Sequence, residues 1–386
     1  MTPKERFLSV ARFETPDYVP IFGFSGAPGM SAGCMQKTYE RLVATGMPEH
    51  IGGCYRVGGV MEVESWYRYW GTTGQIYPDF GLAIGGTGFR TTCREEDGFE
   101  VVESENGSIS RQVIDNDITY TMPEFIRYAV RDRGSWEFWR ERMTPTSRMS
   151  SDEIDQRCKK FDNRDVSLCV GAGSTYGFVR SLMGPEAASL AFYDDPEMIH
   201  DMMAWHLEHQ RELVFPLIER LRPEIVAMGE DLCYNHGMLV SPKQFEDFFS
   251  AYYREIAECA WANGAAVFAV DTDGNAMEFV DVIEPWGVNA IYPFEVKAGN
   301  DLFEVRRNHP DFLLFGGLEK EAVNEGNGES IEPEISGKVP ALIDQGGYFP
   351  NGDHGIQPPV TFPNLCKFMT ILHEVLGNPE GEFPRA

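Results

Sequence analysis

A chain of 386 residues, 42% hydrophobic and 24% charged, has room for one large α/β barrel or two domains and buries a sizeable core either way. Its formal charge of -27 argues against nucleic acid and anionic membrane as partners, since both require a basic footprint. No apolar run approaches the ~18 residues of a membrane span, and MTPKERFLSV lacks the pattern of a signal peptide. The eight cysteines form no CxxC pair, so neither a zinc knuckle nor a disulfide framework is indicated, and a reduced cytoplasmic enzyme is expected.

Thr2-Pro3-Lys4-Glu5 is a capping box with proline at the first helical position, so a helix begins at once and buries Phe7, Leu8, Val10 and Ala11. Asp17 to Phe22 reads as the first barrel strand. Trp66, Tyr67, Tyr69, Trp70, Tyr77 and Phe80 form an aromatic cluster. It is either core or a partly exposed wall against an apolar substrate, with Trp66, Tyr69 and Trp70 as the substrate-binding candidates. From about residue 85 to 123 the pattern alternates with period two and carries Asp97-Gly98 and Asn106-Gly107, both strong hairpin signals. An antiparallel hairpin layer, inserted over the barrel mouth, is the expectation.

Ser150 and Glu153 form a second capping box ahead of a strand at 166–173. That strand runs into GAGSTYG (171–177), which lacks the lysine and the spacing of a phosphate loop. Its small residues admit either a substrate, lined by Tyr176, or a close helix. A long helix from Pro196 to about Arg220 presents Ile199, Met202, Met203, Leu207, Val214 and Ile218 on one face, with a kink at Pro216. From Glu224 onward strand and helix alternate to a last helix near 362–376, the signature of a parallel sheet. An eighth strand is placed near 55–63. With no repeat, low-complexity tract or linker, residues 1–386 read as one domain.

Apolar strands in this second half end one after another in carboxylates or a histidine: Glu230 and Asp231, Asp271 and Asp273, Glu295, Glu319, then Asp353 and His354. In a parallel barrel all these ends point at one face, where active sites lie. Asp271 and Asp273, at i and i+2, can share one metal or one proton; alternatively one caps a helix and the other binds loop backbone. His354 sits in Gly352-Asp353-His354-Gly355, and glycine on each side leaves its imidazole reachable. Glu230, Asp231, Cys233 and His236 offer mixed donors at spacings of no standard zinc site, and Glu230 is the one taken as catalytic.

PKERFLSVARFETPDYVP, SPKQFEDFFSAYYREIAECAWANGAAVFAVDTDGN, EVKAGNDLFEVRRNHPDFLLFGGLEKEAV and GGYFPNGDHGIQPP together resemble the uroporphyrinogen decarboxylase superfamily, which also contains cobalamin-dependent methyltransferases. The resemblance implies a (β/α)8 barrel, and dimers are common in that superfamily. True uroporphyrinogen decarboxylases carry an arginine-rich MRQAGRY segment after the first strand; IFGFSGAPGMSAGCMQKTYERL here has no arginine before Arg41. A tetrapyrrole with many carboxylates needs guanidinium partners, so porphyrinogen decarboxylation is not expected. Thiol-activating zinc methyltransferases are marked by His-x-Cys-Gly and by a cysteine after the last strand. This chain has Asp271-Thr272-Asp273-Gly274 and Asp353-His354-Gly355 instead, a harder set suited to polarising oxygen or nitrogen.

The expectation is therefore a methyltransferase that takes a methyl group from a small methyl ether or methylamine and delivers it to a corrinoid carried by a partner protein, since the chain has no DxHxxG cobalamin motif. Asp271, Asp273 and His354 would hold a metal, zinc by the resemblance. Glu230, Asp273 and His354 would be catalytic, and Glu295 would join the aromatic residues and Tyr176 in binding substrate. Two other readings stay open: a decarboxylase of a smaller acid, and a non-catalytic member that binds a ligand or corrinoid protein.

Overall fold

The computed structural model describes residues 1–23, 33–56, 59–60, 63–85, 88–114, 123–147, 149–324 and 326–385. Helix α1 (Pro3–Ala11) starts as expected: Thr2 Oγ1 accepts from the Glu5 amide, and the Glu5 carboxylate accepts from the Thr2 amide. Strand β1 (Phe22–Gly23) begins later than the pattern of residues 17–22 indicated. Asp17 is taken by Arg6 at 2.6 Å and by the terminal ammonium at 3.2 Å, and Tyr18 lies beneath the Arg6 guanidinium. These contacts tie the segment to α1 instead of to a ladder.

Next come β2 (Cys34–Met35), α2 (Gln36–Ala44), β3 (Cys54–Arg56) and β4 (Gly59–Val60), which build a separate three-stranded sheet. The strand placed near 55–63 thus pairs outside the main sheet, and residues 57–58 and 61–62 of it lie outside the described residues, as does most of the stretch after the first strand (24–32). After α3 (Glu64–Trp70), β5 (Thr73–Gly74) pairs in parallel with β1. β6 (Leu82–Gly85) leads into the inserted layer, β7 (Thr92–Glu96), β8 (Phe99–Glu103), β9 (Ile109–Val113) and β10 (Glu124–Arg127), antiparallel in the order β10-β9-β8-β7.

Asp97 and Gly98 both have positive φ, 52° and 81°, as the tight hairpin demands. The layer runs to Arg127, and 115–122 lie outside the described residues. Among the described residues, the layer is closed internally and rests on a helix at its flank. Arg127 donates to Gly107 O, and a Cβ on Gly107 would meet the Trp139 ring of α4 (Arg133–Arg140) at 2.1 Å. β11 (Thr144–Ser147) then returns to pair with β6, and α5 (Ser151–Lys159) carries the second capping box.

The second half alternates regularly. It comprises β12 (Cys169–Gly171), α6 (Tyr176–Met183), α7 (Pro185–Asp194), α8 (Pro196–His209), α9 (Phe215–Leu221), β13 (Ile225–Gly229), the small hairpin of β14 (Cys233–Tyr234) and β15 (Gly237–Met238), and α10 (Pro242–Ala262). β16 (Val267–Asp271), α11 (Met277–Ile283), β17 (Ala290–Phe294), α12 (Leu302–Asn308), β18 (Leu313–Leu318), α13 (Lys320–Asn324), α14 (Ile331–Ile343), β19 (Tyr348–Gly352) and α15 (Phe362–Leu376) follow. The helix expected over 196–220 is interrupted by a π turn at 210–214, where the Phe215 amide reaches back to Gln210 O. Pro216 has no amide to continue the ladder and its ring displaces the carbonyl one turn back, so the helix takes up the misfit there.

Six strands form one parallel sheet in the order β12-β13-β16-β17-β18-β19. At one edge Ile76 bridges Leu168 in parallel; at the other Asn351 Nδ2 donates to Phe22 O at 3.4 Å, which brings β1 alongside β19. Alternate residues face opposite sides. Val226, Phe268, Val270, Ile291 and Leu314 pack with the helices, whereas Ile225, Val267, Ala269, Ala290, Leu313, Phe315 and Phe349 form a second cluster with Phe22 and with Phe7, Val10 and Ala11 of α1. Helix α1 thus belongs to the inner core. The architecture is α/β, with a parallel sheet and antiparallel additions. Among the described residues no helix is long and apolar enough to cross a membrane.

Candidate metal centre

Strand β16 carries Val267, Ala269 and Asp271 on its inner side, so period two aims Asp271 at the space above the inner cluster. Thr272 then turns the opposite way and is buried, its hydroxyl accepting from the Leu232 and Cys233 amides at 3.0 Å each. That anchor ends the strand and swings Asp273 outward. Gly274 follows with φ 79°, its Cα so close to the Tyr234 backbone that a Cβ would lie 2.6 Å away. Only glycine fits there, and its amide donates to Glu295 Oε2 at 2.8 Å.

Glu295 follows β17 and His354 follows β19. His354 Nε2 lies 3.2 Å from Asp273 Oδ1, and ligand atoms of Asp273, Glu295 and His354 all fall within 4.8 Å of one another. Asp273 and His354 keep 52% and 40% side-chain exposure, so the group opens to solvent. Asp353, 2% exposed, holds the frame: Oδ2 accepts from the Val296 amide and Oδ1 from the Lys320 amide, both at 2.9 Å. It fastens the segments after β17 and β18 to the end of β19.

The charges agree with this arrangement. The hydrogen bond between them lowers Asp273 below the ordinary carboxylate range and raises His354 above the usual imidazole value. Asp271 is hemmed in by protein, with Asp273 and Asp231 nearby, and is pushed up to about 7. Among the described residues, three bases near these strand ends are paired: Arg180 with Asp231 at 3.0 Å, Lys297 with Glu319 at 3.3 Å, and Lys320 with Glu295 at 3.4 Å. Asp271, Asp273 and Glu295 thus crowd three carboxylates around one imidazole and the paired Lys320, an arrangement that attracts a cation.

Of the residues singled out by sequence, Asp273, Glu295 and His354 come together, with Asp271 beside the trio rather than within it. Glu295, expected to bind substrate, contributes to the ligand group instead. Glu230 is a correction. It is fully buried and its carboxylate accepts from Thr175 N, Thr175 Oγ1, Gly177 N and Tyr253 Oη at 2.7, 2.6, 3.2 and 2.9 Å. Three of those donors fall on Oε1 and one on Oε2, and together they fix the start of α6 against α10 and shut the carboxylate off from solvent. Cys233 is buried, its thiol is pushed up to about 12, and it is not among the residues of the candidate ligand group.

Trp66, Tyr69 and Trp70 are also corrected. They are 0%, 6% and 0% exposed, and Trp70 packs on Phe362 and Phe383 at ring separations of 5.9 and 5.2 Å. The segment is core, because α3 lies beneath α15. Tyr176, 1% exposed, is buried at the start of α6 and lines no opening. One ring of the aromatic run does reach a strand end: a Cβ on Gly171 would lie 2.0 Å from the Tyr77 hydroxyl. Close packing therefore explains the first glycine of GAGSTYG. Sequence reasoning passed over Lys320, whose only signal was its position directly after Glu319 at the end of an apolar strand.

A methyltransferase from Methanosarcina mazei has a similar solved structure, with a TM-score of 0.55 and 12% identity, the match covering 98% of this chain and 98% of that chain. At that identity the likeness speaks for the fold. No curated protein matches the chain by sequence. The family model for uroporphyrinogen decarboxylase (URO-D) matches residues 150–375, a span that contains Asp273, Glu295 and His354. Since that match takes in more than half of the sequence, the chain belongs to the uroporphyrinogen decarboxylase (URO-D) family.

Proposed function

We propose that this protein is a methyltransferase that removes a methyl group from a small donor, a methyl ether or methylamine, and passes it to the cobalt of a corrinoid held by a separate partner protein. The observation that carries the reading is the meeting of Asp273, Glu295 and His354 at one opening. Two ligands of one zinc ion, each ~2.1 Å from it, stand at most about 4.2 Å apart. The trio, with its atoms inside 4.8 Å, needs only a small inward adjustment. Oxygen and nitrogen donors suit a hard or borderline divalent ion, and the hydrogen bond between Asp273 and His354 occupies the space it would take. Asp273, Glu295 and His354 fit zinc, with the enclosed Asp271 beside them. When bound, such an ion supplies Lewis acidity toward the donor's oxygen or nitrogen.

The chain's own residues account for the rest. Methyl transfer breaks the bond from carbon to oxygen or nitrogen, and the departing atom must pick up a proton or lose negative charge. With the ion held by Asp273, Glu295 and His354, the enclosed Asp271 beside them is the group left to give up that proton. Bases already paired with Asp231, Glu319 and Glu295 offer little to a polycarboxylate, which favours a small neutral or cationic donor. We further propose that β5 and β1 join the six-stranded sheet to close one (β/α)8 barrel, supported by the Ile76–Leu168 bridge and the Asn351–Phe22 hydrogen bond. The test is to mix the purified chain with a corrinoid protein and a panel of methyl ethers and methylamines, and to follow methylation of cobalt by absorbance. Methylation with one donor class supports the reading; none with any donor, from protein that retains bound zinc, overturns it.

A further inference from the structure

We infer that Lys320 is the built-in cation of this site, a positioning residue that occupies Glu295 until a metal ion takes it and so sets how tightly the metal binds. The inference rests on the metal reading above. Glu295 has two oxygens. Oε2 is committed to the Gly274 amide at 2.8 Å, and Oε1 faces Lys320 Nζ at 3.4 Å. Both side chains are mostly buried, 19% and 21% exposed, so the pair is poorly screened by solvent. The lysine backbone is pinned, since its amide donates to the buried Asp353 carboxylate, while its ammonium stands at the end of a flexible four-carbon stem.

A divalent ion that enters among Asp273, Glu295 and His354 meets this ammonium on the oxygen it needs. The consequence is twofold. Like charge weakens metal binding, and the displaced ammonium is released into the same opening with three donors to offer a departing oxygen. Loss of the lysine should therefore tighten zinc binding while slowing methyl transfer, a split that a merely structural residue does not produce.

The experiment uses the full chain, stripped with chelator and dialysed, and titrates zinc alone by calorimetry with a competing indicator dye; the cobalt(II) absorption spectrum gives a second readout. Lys320→Gln is expected to bind zinc roughly tenfold or more tightly than the native chain, whereas Lys320→Arg, which keeps the charge, stays within about threefold. Equal or weaker binding by Lys320→Gln, beside a native chain that does bind zinc, overturns the role of Lys320 and leaves the metal reading standing. Equal tightening by Lys320→Arg also overturns it, because charge is then not the cause. If neither the native chain nor Lys320→Gln binds zinc or cobalt, both readings fail together. Asp273→Asn serves as the control that must weaken binding.

Discussion

Glu230 follows β13 and Glu295 follows β17, two carboxylates at the same end of one parallel sheet, yet their surroundings differ in the number of donors supplied. Four hydrogen bonds converge on Glu230, from the start of α6 and from Tyr253 of α10, and no surface remains exposed. Glu295 receives one backbone amide and one long lysine contact, with Asp273 and His354 open to solvent beside it. A carboxylate met by four donors and shut off from solvent holds a fold together; one left short of partners is available to bind.

The sharpest way to break this contrast is to remove ligands from the open group. Asp273→Asn and His354→Ala should each lower zinc affinity and methyl transfer on the order of 100-fold or more, with unchanged thermal melting. A melting temperature that collapses along with activity would place these residues with Glu230. Glu230→Gln should do the reverse, costing about 3 kcal/mol in chemical denaturation while leaving zinc affinity where it was, because an amide presents an N–H toward donors that need an acceptor.

The buried histidines make the fold itself sensitive to acid. His206 Nε2 donates to Ser174 O, just ahead of the Thr175 that holds Glu230, while its Nδ1 is buried without a partner among the described residues. Burial drives His206 down to about 3, and His373, similarly enclosed, to about 4. The unfolded chain binds protons first, so stability is complete above pH 6.5 and declines as pH falls from about 6.5 toward 4. Urea midpoints measured across that range check the slope, and His206→Gln should flatten it. The smallest effect belongs to the exposed pair of Lys297 and Glu319, where Lys297→Ala should change stability by less than about 0.5 kcal/mol and zinc binding hardly at all.

The parallel half was legible because its signals are local and repeated. Capping boxes at Thr2 and Ser150, the Asp97-Gly98 turn, and apolar runs ending in polar groups each fix a short stretch without help from distant contacts. The pair of Asp273 and His354 was legible for the same reason, since strand direction alone sends both ends to one face. The fate of Glu230 was not, because its four donors come from α6 and α10, some 20 to 55 positions away along the chain. Nor could composition tell core tryptophans from a substrate wall when the covering rings, Phe362 and Phe383, come from the other terminus. Segment 17–20 misled because Asp17 answers to Arg6, an ion pair that overrides strand propensity.

Asp353 gives the centre a shared hinge pin. With one oxygen on the chain after Glu295 and the other on Lys320, a shift in any of three neighbouring loops pulls on the remaining two. Insertions that enlarge or reshape the entrance are thereby discouraged on that side of the molecule. Diversification of substrate range has freer scope across the opening, around the β14–β15 hairpin, where Tyr234 and Leu239 already stand 46% and 43% exposed.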